Sequence, residues 1–213
     1  QAGALIAPLL RRKRVVVVSD ETVAAHHLDS LRAGLDAADI SVEALALPPG
    51  EATKCWAELT RTVDWLMDQK VERNDVVIAF GGGVIGDLVG FAAAILRRGV
   101  RFVQIPTSLL AQGDSSVGGK NLVGAFHQPS LVLADTAVLG TLQARDFLAG
   151  YGEVVKYGLL GDAAFFDWLE VNAPAMAAGD MALRVEAVRR SVQMKADIVL
   201  RDEKEHGDRA LLN

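Results

Sequence analysis

The stretch that decides the fold covers residues 76–120 and reads VVIAFGGGVIGDLVGFAAAILRRGVRFVQIPTSLLAQGDSSVGGK. Val76–Phe80 is a continuous apolar run of strand length, and three glycines follow it directly. A helix-like apolar segment follows Gly86, and a second predicted strand, Phe102–Ile105, ends at Pro106. Glycines between a strand and a helix let the backbone approach a phosphate, whose negative charge the helix N-terminus then faces. The stretch therefore predicts half of a nucleotide site.

Strands and helices alternate before this stretch as well. The four valines of Val15–Val18 are typical of a strand buried on both faces, and Val42–Leu47 has the length and composition of another. Helices are predicted at residues 21–35 and 51–69, and a last strand at Leu131–Ala134. This rhythm predicts an α/β fold with a parallel sheet and crossover helices.

Only helical patterns follow residue 143. They cover Glu153–Leu160, Ala163–Asn172 and Met181–Leu200. We therefore expect two domains, an α/β domain at residues 1–142 and a helical domain at residues 143–213.

Composition narrows the class of protein. Hydrophobic residues make up 51% and charged residues 23%, which is an ordered globular composition. The net charge of −5 without a long basic run argues against a nucleic-acid partner. Cys55 is the only cysteine, and no apolar run reaches membrane-spanning length. We expect a cytoplasmic protein that binds neither nucleic acid nor a membrane.

The glycine motif is weak evidence by itself. Gly81, Gly83 and Gly86 satisfy G-x-G-x-x-G, but a purely structural role for such a turn is equally well supported. The usual dinucleotide fingerprint also needs an acidic residue about 20 residues further on, and here Thr107-Ser108 stands after the next strand. Asp20 ends a different strand and could hold a ribose, although a helix N-cap is the better-supported interpretation.

Glu153 and Lys156 lie three residues apart on one predicted helix face. They could bind a metal and an anion, but a solvated i,i+3 ion pair is the more common explanation of this spacing. Glycines 150, 152 and 158 surround the pair, and glycine destabilises a helix interior. We therefore expect another group to approach this helix closely.

The remaining residues define no complete catalytic or metal centre by themselves. None of the histidines, His26, His27, His127 and His206, has the spacing of a helical metal pair. We expect His26 and His27 at an exposed helix end. Cys55 and the serines have no evident partner base for nucleophilic catalysis.

Five segments nevertheless resemble one family in its own order along nearly the whole chain. They are GGGVIGDLVGFAA, RRGVRFVQIPTSLLAQGDSSVGGK, NLVGAFHQP, GEVVKYG and DEKEHGDRALLN. The chain resembles the 3-dehydroquinate synthases, which are sugar-phosphate cyclases. The resemblance implies a Rossmann-like N-terminal domain, a helical C-terminal domain, bound NAD, one divalent metal (zinc or cobalt) and a homodimer.

The resemblance also assigns site residues, position by position. Glu153 matches the carboxylate metal ligand of the family. The substrate and catalytic matches are Arg98, Asp114, Lys120, Lys156, Lys195, Glu205, Arg209 and Asn213. The cofactor matches are Asp20, Glu51, Lys54, Gly82, Gly83, Val84, Ile85, Gly86, Asp87, Thr107, Ser108, Lys120, Val138, Leu139, Gly140 and Thr141.

Two departures from the family pattern stand out. The family has a loop of about nine residues between G-G-K and N-L-V-G-A-F, whereas Gly119, Lys120 and Asn121 are adjacent here. Lys120 therefore matches either of two family lysines, one facing the substrate and one facing NAD. The family also continues beyond Asn213 with histidines that complete the metal site. We expect a longer protein with both segments present and the helical domain incomplete in this chain.

The implied activity converts 3-deoxy-D-arabino-heptulosonate 7-phosphate into 3-dehydroquinate and phosphate, a step of the shikimate pathway to aromatic amino acids. It combines transient oxidation by NAD, β-elimination of phosphate, re-reduction and an intramolecular aldol closure. Three alternatives stay open: another sugar-phosphate cyclase, a metal-dependent NAD alcohol or polyol dehydrogenase, or a non-catalytic remnant if the loop and the terminal histidines are truly absent.

Overall fold

The computed structural model describes residues 1–113 and 123–201, whose packing forms two compact units. The first unit comprises Gln1–Pro106 and Gly124–Leu133, and the second comprises the other described residues. The packing groups residues 134–142 with the helices that follow them. The domain boundary between residues 142 and 143 stays a prediction.

The first unit is built on a parallel sheet, as the valine-rich runs predict. Its strand order is β2-β1-β3-β4-β5, and in register Val16 lies beside both Glu43 and Val77. Most residues of β1 and all of β3 are buried, which matches strands covered on both faces. The strands are β1 (Arg14–Asp20), β2 (Ser41–Leu47), β3 (Val76–Gly81), β4 (Arg101–Pro106) and β5 (Leu131–Val132).

Helices cover the two faces of this sheet. Side chains of α1 and α3 pack with the odd-numbered valines of β1, while α4 and α5 pack with Val16 and Val18 on the other face. A π-helical turn, Ala24–Leu28, joins α2 to α3. The helices are α1 (Ala2–Ile6), α2 (Glu21–Val23), α3 (Asp29–Asp36), α4 (Trp56–Asp68) and α5 (Gly83–Ile95).

Three sequence expectations about helices in this unit are wrong in detail. The helix predicted at residues 51–69 begins only at Trp56, because Lys54 takes a non-helical backbone conformation after a short 3₁₀ turn, Glu51–Thr53. The helix after the glycines begins at Gly83 rather than after Gly86. His26 and His27 lie in the π-helical turn, so they are inside a helical run and not at its end.

The strand order creates a switch point between β1 and β3. The chain leaves β1 toward β2 by helices on one face of the sheet, and it leaves β3 toward β4 by α5 on the other face. In open parallel sheets, ligands bind outside the carboxyl ends of the strands at such a point. Asp20 and Gly81 end the two strands concerned.

The second unit is helical in the part that the structure describes. Its core includes Phe147 and Tyr157 of α7, Phe165 of α8 and Val188 of α9. None of the helices in residues 1–113 and 123–201 combines the length and apolar character that crossing a membrane requires. The helices are α6 (Leu109–Gly113), α7 (Ala144–Leu159), α8 (Ala163–Ala177) and α9 (Met181–Arg201).

Candidate functional site

The carboxyl ends of β1 and β3 are fixed against each other. Ser19 pairs in register with Phe80, and the buried Ser19 hydroxyl donates a hydrogen bond of 2.7 Å to the Phe80 carbonyl oxygen. The Asp20 carboxylate then accepts a hydrogen bond of 2.9 Å from the backbone N–H of Val23. Asp20 is therefore the helix N-cap that the sequence favours, and its role toward a ribose stays a prediction.

The glycine turn after β3 has both structural and binding features. A Cβ atom on Gly81 would lie 2.8 Å from Ile85, so close packing of the strand against α5 requires glycine there. Gly82 is the N-cap of α5, and no side chain of the described residues caps this helix end. The N–H groups of its first turn therefore remain available for an anion such as a nucleotide phosphate.

A three-member charge network lies beside this turn. The Lys54 ammonium is 2.9 Å from an Asp87 carboxylate oxygen and 3.2 Å from one of Glu51. Burial lowers the pKa of Lys54, but its hydrogen bonds and charge attraction to Asp87 and Glu51 prevail, so the pKa is raised overall. Lys54 is thus a fixed cation, which joins two predicted cofactor segments that are distant in sequence.

Further predicted cofactor contacts belong to the second unit. Thr107 is buried, and the Ser108 hydroxyl accepts a hydrogen bond of 3.2 Å from the N–H of Ala111 at the start of α6. The Val138–Thr141 segment lies in the 3₁₀ turn Thr136–Thr141, in which Val138 and Leu139 are buried. The two segments are therefore ordered parts of this unit.

The predicted metal ligand Glu153 forms an ion pair with Lys156 on α7. Their side chains are only 15% and 25% exposed, so the pair expected from the spacing is present but is not freely solvated. Among the described residues, no cluster of three or more His, Cys, Asp or Glu could hold a metal ion. Glu153 does supply the oxygen ligand that a divalent cation accepts, and its metal role stays a prediction.

The glycines around this pair separate into two kinds. A Cβ on Gly150 would lie 2.6 Å from the Leu110 backbone nitrogen of α6, and one on Gly158 would lie 3.0 Å from Phe166 Cα of α8. These two confirm the expected close approach, which comes from neighbouring helices. Gly152 has no described atom within 4 Å of such a Cβ.

Two predicted substrate residues, Lys195 and Arg98, lie in very different places. Lys195 is only 4% exposed on α9, and a lysine that deeply buried is uncommon. Arg98 lies at the opposite end of α5 from Gly82, about 20 Å away at 1.5 Å per residue over its length. The structure therefore does not bring Arg98 to the other predicted residues of its unit.

Five predicted site residues lie outside the described residues. They are Asp114, Lys120, Glu205, Arg209 and Asn213. His206 also lies outside the described residues.

One buried residue was missed in the sequence. Arg184 is 7% exposed, and its guanidinium donates to the carbonyl oxygens of Met176 and Leu139. The available signal was helical spacing, because Arg184 shares a face of α9 with Ala187, Val188 and Ser191, all of which are buried. A charged residue in that row needs partners inside the protein.

Comparisons with known proteins agree on one family. The sequence profile of the 3-dehydroquinate synthase N-terminal domain matches residues 44–149, and that of the C-terminal domain matches residues 150–213. The chain belongs to the 3-dehydroquinate synthase family. This confirms the resemblance that the motifs indicate.

A 3-dehydroquinate synthase of Ruegeria sp. (strain TM1040) is 80% identical to this chain over 222 aligned positions. The alignment covers 100% of this chain and 60% of the Ruegeria protein, so the chain spans 60% of that relative's length. The aligned positions exceed the 213 residues here by nine, and the expected further loop after Gly119 stays a prediction.

Solved structures show the same fold. The 2-epi-5-epi-valiolone synthase of Streptomyces hygroscopicus, solved with NAD⁺ and Zn²⁺, is 31% identical with a TM-score of 0.88. The match covers 93% of this chain and 59% of that one. A 2-deoxy-scyllo-inosose synthase, 21% identical over 99% of this chain and 60% of its own, has a TM-score of 0.78 and supports the fold alone.

Proposed function

We propose that this protein acts as a 3-dehydroquinate synthase, converting 3-deoxy-D-arabino-heptulosonate 7-phosphate into 3-dehydroquinate and phosphate. The observation that carries the proposal is the 80% identity to the Ruegeria synthase over the whole chain. The geometry is compatible with it, since one unit holds a nucleotide-type turn and the other holds the Glu153–Lys156 pair. The reaction releases phosphate without net redox change, which makes the enzyme a carbon–oxygen lyase.

NAD and a divalent cation, zinc or cobalt, are the proposed cofactors. The uncapped start of α5 and the Lys54 network fit a dinucleotide, and the Glu153 carboxylate fits a divalent cation. The related valiolone synthase carries NAD⁺ and Zn²⁺. When bound, the two cofactors would supply a temporary hydride acceptor and a Lewis acid for the substrate alcohol.

The residues of this chain bind and orient the reacting groups. The N–H groups after Gly82 would receive the cofactor phosphates, and Asp20 would accept a hydrogen bond from a ribose hydroxyl. Lys156 and Lys195 would neutralise the carboxylate and phosphate of the substrate, and this offset grows as phosphate leaves with its extra charge. The burial of Lys195 and the partial burial of Lys156 strengthen these interactions relative to water.

The test of the proposal is product analysis by NMR. The protein is incubated with the heptulosonate phosphate, NAD⁺ and Zn²⁺ or Co²⁺. We expect 3-dehydroquinate and inorganic phosphate in equal amounts, and loss of both products after chelation of the metal. If neither 3-dehydroquinate nor phosphate is formed from the substrate, the assignment is overturned.

A second candidate function is another sugar-phosphate cyclase, because the valiolone synthase shares the fold at a TM-score of 0.88. The same assay with sedoheptulose 7-phosphate and glucose 6-phosphate separates the candidates. A higher kcat/KM on either of these substrates than on the heptulosonate phosphate would favour the second candidate.

Two properties of the whole protein stay predictions. They are the homodimer that the resemblance implies and the cytoplasmic location that the cysteine content indicates.

A further inference from the structure

Arg184 is a charged group inside the helical unit. It lies on α9 and is 7% exposed, in the same row as Ala187 and Val188. Removing a guanidinium from water is unfavourable unless its N–H groups find acceptors and its plane finds a contact surface. The surroundings of Arg184 provide both.

Three contacts define its environment. Its Nε donates to the Met176 carbonyl oxygen at 3.0 Å, near the end of α8. One of its terminal N–H groups donates to the Leu139 carbonyl oxygen at 3.2 Å, and its Cζ lies 4.3 Å from the centre of the Phe147 ring. One side chain on α9 thereby connects α7, α8 and the short 3₁₀ turn Thr136–Thr141.

That 3₁₀ turn is anchored at its start by other groups. The Asp135 carboxylate accepts from the Ala137 N–H at 2.9 Å, and the Gln112 side chain donates to the Asp135 carbonyl oxygen at 2.9 Å. In the later half, the Thr141 hydroxyl donates to the Val138 carbonyl oxygen at 2.9 Å, and Arg184 adds a contact from another helix at Leu139. Leu139 is buried directly before the exposed Gly140 and Thr141, so the guanidinium ties the backbone next to these two residues to α9.

We propose that Arg184 is a positioning residue for the dinucleotide cofactor. It holds the Val138–Thr141 backbone, which the family resemblance assigns to NAD binding, through its hydrogen bond to Leu139 and not through a contact of its own with the cofactor. This inference rests on the proposed function. Lysine cannot replace arginine here, because a single ammonium lacks the planar fork that reaches two separate carbonyl groups while stacking on a ring.

The test compares Arg184→Lys and Arg184→Met with a matched control, Arg190→Lys. Arg190 lies on the same helix, stacks over Phe165 and Trp168, and pairs with Glu186, but it contacts no part of the 3₁₀ turn through the contacts described. Calorimetry measures the Kd of NAD⁺ and of Zn²⁺ for each variant. Thermal unfolding confirms that each variant is folded.

We expect Arg184→Lys to raise the Kd of NAD⁺ by about fivefold to tenfold, the factor expected for one lost hydrogen bond. The Kd of Zn²⁺ should stay within about twofold, and Arg190→Lys should change neither constant. Amide hydrogen exchange should accelerate at Gly140 and Thr141 in both Arg184 variants. This second measurement does not depend on cofactor binding.

A folded Arg184→Lys variant with unchanged NAD⁺ affinity and unchanged exchange at Gly140 would overturn the positioning role. An equal loss of Zn²⁺ and NAD⁺ affinity would also overturn it, since that pattern indicates general loosening of the unit. If the unmodified protein binds no NAD⁺ in the presence of metal, the proposed function itself fails, which the calorimetry distinguishes from failure of the Arg184 role.

Discussion

The two units place their candidate site residues by different means. In the α/β unit, the candidate residues stand where strands and glycine turns end, so the backbone of the sheet sets the positions of Asp20, Gly82 and Asp87. In the helical unit, Glu153, Lys156 and Lys195 are side chains on α7 and α9, whose positions depend on how closely the helices pack. Side-chain substitutions in the first unit should therefore leave the backbone of its site in place and remove only ligand contacts. In the second unit, a change in the spacing of the helices should displace the site residues themselves.

The largest effect is expected from Lys156→Ala, which removes a cation of the helical unit that is proposed to bind the substrate. The kcat/KM of phosphate release should fall by at least about 100-fold, with NAD⁺ affinity unchanged because Lys156 lies on α7, outside the predicted cofactor segments. The matched control is Arg189→Ala, which removes an exposed cation of an i,i+3 ion pair on α9. Equal kcat/KM for Lys156→Ala and the unmodified protein would refute its role.

Helix spacing is tested by an opposed pair of glycine substitutions on α7. Gly150→Ala places a methyl group 2.6 Å from the backbone of α6, so the free energy of unfolding should fall by about 1–3 kcal/mol. Gly152→Ala meets no described atom within 4 Å, so improved helix propensity should raise that free energy by up to about 1 kcal/mol. Denaturant titration measures both, and effects of the same sign would contradict the packing argument.

In the α/β unit, Asp87→Asn should weaken NAD⁺ binding by about tenfold, because Lys54 loses its closer carboxylate partner. The exposed Asp64→Asn on α4 is the control. The raised pKa of Lys54 means that its ion pairs are complete below the ordinary lysine value and are lost only as the pH rises through the raised one. NAD⁺ affinity that titrates through Lys54 near neutral pH would contradict this account.

The smallest effect is expected at the surface of α9. Hydrogen bonds from Arg189 and Arg190 lower the pKa of Glu186 to about 2 from the ordinary 4.5. A lowered pKa stabilises the folded state above the ordinary value, and this stabilisation is lost as the pH falls toward 2. Glu186→Gln should therefore lower the free energy of unfolding at pH 7 by less than about 1 kcal/mol. The difference in thermal unfolding from the unmodified protein should shrink in acid.

The positions of the strands along the chain follow from local sequence. Val15–Val18 and Val76–Phe80 are apolar at consecutive positions and rich in valine, which is typical of strands covered on both faces of a sheet. The glycines at which helices approach closely are partly predictable as well, because glycine destabilises a helix interior unless another group has to come near it. Gly150 and Gly158 have one in the neighbouring helices, whereas Gly152 shows that the rule does not identify each case.

The remaining features depend on contacts that are distant in sequence. Lys54 leaves the helical conformation, which no pattern in residues 51–69 reveals, and its side chain pairs with Asp87 of another helix. Helical spacing places Arg184 on the buried face of α9, but its acceptors on two other segments follow only from the fold.

The most direct test of the account measures phosphate and NADH together during turnover of the heptulosonate phosphate. The protein, NAD⁺ and Zn²⁺ are mixed with substrate, phosphate is followed by a coupled assay, and NADH is followed by its absorbance. The account predicts steady phosphate release without accumulation of NADH beyond the enzyme concentration, because the cofactor is regenerated in each cycle. Accumulation of NADH in step with substrate consumption, without phosphate, would contradict it and identify a dehydrogenase.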